Sequence, residues 1–157
     1  MLDNRSAIMK SRQWIPSLFW LAAAYDGLLG LLFLTAGGWV FQATGTTPPN
    51  HQGYLQFPAA LLVVFALMFA SIAANPQAHR NLIPFGMLLK ISYCGVVIHH
   101  WSSSGLPWIW KPFCIIDLAF LLLFIAAWIT LGINRPNPTS KTTPPTSPPN
   151  NPAPPPT

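Results

Sequence analysis

Three charged side chains stand inside long apolar runs of the sequence, and chemistry is to be expected there. They are Asp26, Lys90 and Asp117, which together we call the polar centre. A charge at the middle of a membrane span costs roughly 2.5 to 3.5 kcal/mol, so such residues normally face the interior of a helix bundle and pair. The economical arrangement is an ion pair between Lys90 and Asp117 on neighbouring antiparallel helices.

Asp26 is then left as an additional acid. One lysine cannot neutralise two carboxylates, so a proton or water has to serve one of them. A buried acid in excess is a group that can bind a cation or pass a proton. The alternative is a purely structural ion pair that holds the helices in register, and the sequence leaves both interpretations open.

Two cysteines, Cys94 and Cys114, also lie inside apolar runs. Cys94 follows Lys90 by one helical turn and Cys114 precedes Asp117 by about one turn, so antiparallel spans place both thiols toward the same side of the membrane. They could form a thiol pair, either a disulfide or a redox centre, although the CxxC spacing of dithiol oxidoreductases is absent. The alternative is that both are small buried apolar residues.

Four ring side chains are predicted on the outer side of the membrane: His51, Tyr54, His99 and His100. The segment PPNHQGYLQFP combines rigid prolines with amide, imidazole and phenol groups, and it is the best candidate for a lid or a ligand-contacting loop. No metal-binding motif accompanies the histidines, so we predict neither a metal site nor a cofactor. The alternative is that these are polar residues at the membrane interface.

The elements that must position these side chains are four apolar runs, near residues 16–41, 57–75, 82–101 and 108–131. A hydrocarbon core takes roughly 20 helical residues to cross. Only 7% of the residues are charged, whereas a soluble domain carries about a quarter. Tryptophans stand near the ends of the first, third and fourth runs, as in an interfacial belt. The sequence therefore predicts an all-α, four-helix transmembrane bundle in residues 14–133.

The first run carries small residues beside its acid. Ala23, Gly27 and Gly30 share one helical face in the stretch AAAYDGLLG. Small side chains let a neighbouring backbone approach closely, so this face is predicted to pack against another helix rather than lipid.

The basic residues indicate the orientation of the bundle. Most would lie on one side of the membrane: Arg5, Lys10 and Arg12 before the first span, Arg80 in the second loop, and Arg135 and Lys141 after the fourth span. Only Lys111 lies in a loop on the opposite side. The positive-inside rule then places both termini in the cytoplasm. We expect a multi-pass protein of a cell membrane, in a bacterial inner membrane.

The two ends of the chain are predicted to lie outside the bundle. Residues 1–13 form a cytoplasmic segment, and they are not a signal peptide, because Asp26 interrupts the following run and three more runs come after it. Residues 134–157 are rich in proline and carry no large apolar side chain, so they are expected to form a disordered cytoplasmic tail.

The four short spans, the YDGLLGLLFL segment of the first span, the polar first loop and the acid of the last span resemble the small DoxX-like membrane proteins. The resemblance covers roughly residues 14–132 and implies the four-helix architecture. The two intramembrane acids are also similar to the paired acids of the EXPERA four-helix proteins, which line a central pocket. Lys90 has no counterpart there, so only the architecture carries over.

These features favour a non-enzymatic integral membrane protein. We expect its partners to be the lipid bilayer and either a small lipophilic ligand or other subunits, in a homo-oligomer or a membrane complex. A proton- or ion-coupled small transporter and a membrane thiol redox protein are the alternatives. The basic residues are scattered rather than clustered, so no nucleic acid partner is predicted.

Overall fold

The computed structural model of the chain describes residues 13–103 and 105–133, and this part of the chain is helical without strands. The helices are α1 (Trp14–Ala43), α2 (Gly53–Ala74), α3 (Ile83–Ser103) and α4 (Trp110–Ile133), with a short 3₁₀ turn at Arg80–Leu82 before α3. Each of the four helices is long and apolar enough to cross a membrane. The predicted all-α, four-helix class is confirmed. The predicted terminal segments lie outside the described residues, apart from Gln13.

Many large aliphatic side chains are exposed on the outside of the bundle. Examples from the four helices are Leu28, Leu67, Leu88 and Leu122, each more than half exposed. A soluble monomer rarely exposes such extensive apolar surface. Lipid is the solvent that suits this surface, in agreement with a multi-pass membrane protein.

The helix α2 begins four residues before the predicted start at residue 57. Gly53 donates its N–H to Nδ1 of His51 at 3.0 Å, which satisfies one of the free donors of the first helical turn. Pro58 therefore lies in the second turn of α2, although proline is commonest at the first position of a helix. Tyr54, predicted in a loop, belongs to the first turn of the helix.

The helix α1 is kinked at Ala36, where φ is −130° and ψ is 21°. Two glycines follow directly, and the hydroxyl of Thr35 donates to the carbonyl of Leu31 at 2.8 Å. Glycine pairs and hydroxyl groups bonded back to the preceding turn are both known causes of helix bending. Beyond the kink, Phe41 packs near the ring of Trp110 from α4, with ring centroids 6.4 Å apart.

The four helices form two hairpins, α1 with α2 and α3 with α4, and the closest backbone approaches are within each hairpin. We call the end of the bundle that holds the start of α1 and the end of α4 the terminal end. The opposite end, with the loops 44–52 and 105–109, is the loop end.

The hairpins are packed together at the terminal end by a cluster of phenylalanines. The rings of Phe19 and Phe124 stack with centroids 4.8 Å apart, and Phe69 lies 5.2 Å from Phe124. All three side chains are fully buried. Because α1, α2 and α4 each contribute a ring, this half of the bundle is closed.

The loop between α2 and α3 is attached to α4 by Arg80. Its Nε and Nη2 donate to the carbonyl of Trp128 at 3.1 and 2.9 Å, and its guanidinium lies 4.4 Å from the centre of the Trp128 ring. Gly132 leaves the room that the guanidinium occupies. Arg80 thus joins the start of α3 to α4 at the terminal end, through contacts on the surface of the bundle.

Candidate functional site

The three residues of the polar centre come from α1, α3 and α4 and meet inside the bundle. Asp26 and Lys90 are each 1% exposed, and Asp117 is 6% exposed. The ammonium Nζ of Lys90 lies 2.8 Å from Oδ1 of Asp26 and 2.9 Å from Oδ1 of Asp117. The lysine therefore stands between two carboxylates that belong to different hairpins.

The hydrogen bonds of Lys90 go to Asp26. Its Nζ donates to both carboxylate oxygens of Asp26, at 2.8 and 3.0 Å. Oδ1 of Asp117 is within ion-pair distance, yet it accepts no hydrogen bond from the described residues. The arrangement differs from the expected pair of Lys90 with Asp117 alone, because the long stem of lysine lets its ammonium reach across the bundle to α1.

Aromatic rings flank the ammonium group. The Nζ of Lys90 lies 5.3 Å from the ring centre of Tyr25 and 5.6 Å from that of Phe120. Aromatic faces within about 6 Å attract a cation, and the attraction is stronger where water is excluded. The rings replace part of the hydration that the lysine loses on burial.

A cavity of about 220 Å³ lies beside the polar centre, on the side of the loop end. All four helices line it, with apolar side chains over most of its wall and Asp26 and Asp117 at the polar centre. We call it the main cavity. The cavity lies between two packed regions: the phenylalanine cluster closes the terminal half, and Phe33 of α1 stacks on Trp110 of α4 nearer the loop end, with ring centroids 5.7 Å apart.

A second cavity of about 360 Å³ lies beneath the loops at the loop end. It shares three lining residues, Leu55, Pro58 and Trp110, with the main cavity. The two cavities therefore adjoin each other, and the second one lies nearer the loop end.

The four ring residues predicted on the outer side lie at the loop end, and they divide into two groups. Tyr54 lines the second cavity, and His51 packs against it with ring centroids 5.9 Å apart. His99 and His100 contact each other at the end of α3, with centroids 5.2 Å apart. Of these four, only Tyr54 lines either of the two cavities, and among the described residues no group of three potential metal ligands occurs.

Cys94 and Cys114 are neighbours, as their depths in the sequence predicted. Both are buried in one cluster with Val97, and Sγ of Cys94 lies 3.6 Å from the carbonyl oxygen of Cys114. Both are free thiols. The cluster lies beside the polar centre but neither cysteine lines the main cavity.

The small-residue face of α1 packs against α2. A Cβ on Gly27 would lie 3.3 Å from Cβ of Ala66, and one on Gly30 would lie 2.7 Å from the carbonyl oxygen of Ala59. The predicted helix contact is therefore confirmed. It fixes the rotation of α1 that turns Asp26 toward the bundle interior.

Sequence reasoning missed two tyrosines of the main cavity. Tyr25 precedes Asp26, and Tyr93 lies one turn after Lys90; both line the cavity. The hydroxyl of Tyr93 donates to the carbonyl of Trp110 at 3.2 Å, whereas the buried hydroxyl of Tyr25 has no partner among the described residues. A phenol hydroxyl inside an apolar span needs a hydrogen-bond partner. The two tyrosines within apolar runs could therefore have been recognised from the sequence as candidates for a polar site.

Comparison of the chain with protein-family models, with curated proteins and with solved structures finds no match. The resemblance to DoxX-like proteins stays a prediction.

Proposed function

We propose that this membrane protein binds a small lipophilic molecule in the main cavity, with the polar centre contacting a polar group of the ligand. The observation that supports this is the cavity itself, which combines an apolar wall with two carboxylates at one end. Ligand sites are typically concave and mostly apolar, with a few polar groups that fix orientation. The free hydroxyl of Tyr25 adds a further polar contact.

A test of this proposal fills the main cavity. Leu62→Trp adds bulk to the cavity wall, whereas Leu67→Trp adds the same bulk to the lipid-facing side of the same helix. Native mass spectrometry of the gently extracted protein is expected to show a bound small molecule in the wild type and in Leu67→Trp, and its loss in Leu62→Trp. Three identical spectra without bound mass, or a bound mass that survives in Leu62→Trp, would contradict binding in this cavity.

A second candidate is a proton- or ion-coupled transporter. The observation that favours it is the imbalance of the polar centre, two carboxylates against one ammonium. Transport would require the phenylalanine cluster to separate, since it closes the terminal half of the bundle. Flux through the protein in liposomes that depends on Asp117 would support this candidate over a binding protein.

We also propose that the terminal end faces the cytoplasm. The support is the distribution of basic residues, including Arg80 at the terminal end. Lys111, the exception at the loop end, lies over the ring of Trp101 at 4.7 Å. Reporter fusions that end after Gln77 are expected to report the cytoplasm, and fusions that end after Gly45 the opposite side. The reverse pattern would invert the orientation and place the cavities on the cytoplasmic side.

A further inference from the structure

The polar centre presents its acids, and not its base, to the main cavity. Asp26 and Asp117 line the cavity, whereas Lys90 does not and is almost completely buried. A molecule in the cavity therefore meets carboxylate oxygens. An anionic group placed there would be repelled by both acids.

Asp117 is the acid whose hydrogen bonding is incomplete. Lys90 gives its hydrogen bonds to Asp26, and Oδ1 of Asp117 accepts none from the described residues although the side chain is buried. A buried polar atom without a hydrogen bond is costly and usually indicates a missing partner, such as water, an ion or a ligand. Among the described residues Oδ1 of Asp117 is held only by the ion pair with Lys90 at 2.9 Å. Because a carboxylate has about four acceptor sites, Asp117 has acceptor capacity left for a donor in the cavity.

We infer that the main cavity binds a small organic cation, a protonated amine on an apolar body, whose ammonium group donates to Asp117. The inference rests on the proposed function and names the ligand class for the same site. A second ammonium balances the second carboxylate. With a neutral ligand, a proton or water has to serve the second carboxylate instead.

The walls of the main cavity suit a cation with an apolar body. Five aromatic side chains line it: Tyr25, Phe33, Tyr93, Trp110 and Phe113. Their faces can surround an ammonium group and the carbon atoms next to it. The unpartnered hydroxyl of Tyr25 offers an additional acceptor.

The volume limits the size of the ligand. A dry cavity of about 150 Å³ holds benzene, so the main cavity, at about 220 Å³, accommodates a single ring with a short chain. A longer tail would pass between Leu55, Pro58 and Trp110 into the second cavity. The ligand class is therefore an arylalkyl or cycloalkyl amine, with room for a tail toward the loop end.

Three probes of similar size separate charge from shape: 2-phenylethylamine, 2-phenylethanol and phenylacetate. The full chain is reconstituted in nanodiscs, and binding at neutral pH is followed by calorimetry. The amine is expected to bind about tenfold or more tightly than the alcohol, because a charge-assisted hydrogen bond is stronger than a neutral one. Phenylacetate is expected not to bind.

Three substitutions locate the effect. Asp117→Asn keeps the size of the side chain and removes its charge, so the affinity for the amine is expected to fall about tenfold while that for the alcohol stays the same. Leu29→Ala trims an aliphatic part of the cavity wall and is expected to weaken amine and alcohol alike. Leu62→Trp fills the cavity and is expected to abolish the binding of both. This loss distinguishes binding in the cavity from partitioning of the probes into the lipid.

Equal binding of amine and alcohol to the unaltered protein would overturn the cation class and leave the proposed binding function in place. No saturable binding of any probe would also overturn the inference, while native mass spectrometry would still decide the proposed function. These comparisons use the unaltered protein, so they hold even if Asp117→Asn fails to fold.

Discussion

Lys90→Met is expected to lower the free energy of unfolding by about 3 to 5 kcal/mol, because it leaves two buried carboxylates without their cation. Lys90 is the only basic residue among the described residues that contacts Asp26 or Asp117. The measurement is unfolding by titration with a denaturing detergent in mixed micelles. Methionine keeps most of the length of the lysine stem, so the loss reports the charge rather than a cavity.

Double-mutant cycles then show which acid is coupled to the lysine. Since Lys90 donates to both oxygens of Asp26, Lys90→Met with Asp26→Asn is expected to recover more stability than Lys90→Met with Asp117→Asn. A larger coupling to Asp117 would contradict the hydrogen-bond arrangement. Coupling near zero in both cycles would mean that water or the aromatic rings, rather than the acids, stabilise the lysine.

Gly30→Ala is expected to cost about 1 to 3 kcal/mol, since overpacking a close helix contact forces the backbones apart. A Cβ at this position would lie 2.7 Å from the carbonyl oxygen of Ala59 and 2.9 Å from Cγ2 of Val63, and a backbone oxygen cannot turn away as a flexible side chain can. The same detergent titration measures the effect. Because the contact sets the rotation of α1, amine binding in the main cavity should weaken as well.

Gly95→Ala is the matched control. Gly95 lies inside α3, where a Cβ would meet no neighbouring atom within 4 Å among the described residues. Alanine has the higher helix propensity by about 1 kcal/mol at most in water, so the variant should be as stable as the wild type or slightly more so. Equal losses from Gly30→Ala and Gly95→Ala would refute the close contact between α1 and α2.

The sequence predicted the helices well because each one is a long apolar run, and three of the four have tryptophans near their ends. The start of α2 was missed by four residues, since the side chain that satisfies its first turn is His51, and histidine is not a typical N-terminal capping residue. Proline at position 58 indicated a later start than the structure has.

The sequence predicted that the three charged residues of the polar centre face the bundle interior. This prediction needs only the free-energy cost of a charge in lipid, which can be assigned to each residue separately. The hydrogen-bond partner of Lys90 was not predictable in the same way, because it depends on the rotation of α1 and on the conformation of a flexible stem. The main cavity depends on the gap left between two packed regions that join the hairpins, one at each end of the bundle. The hydrophobic periodicity of the sequence does not show where such a gap lies.

The separation of Asp26 and Lys90 along the chain has a consequence for biosynthesis. The two residues are 64 positions apart, and at about 5 to 20 residues per second the ribosome adds the lysine about 3 to 13 s after the aspartate. Before α3 enters the bilayer, Asp26 has no lysine to pair with, and a proton or water has to serve it. Exchange of that partner for Lys90 then couples insertion of the second hairpin to its assembly with the first.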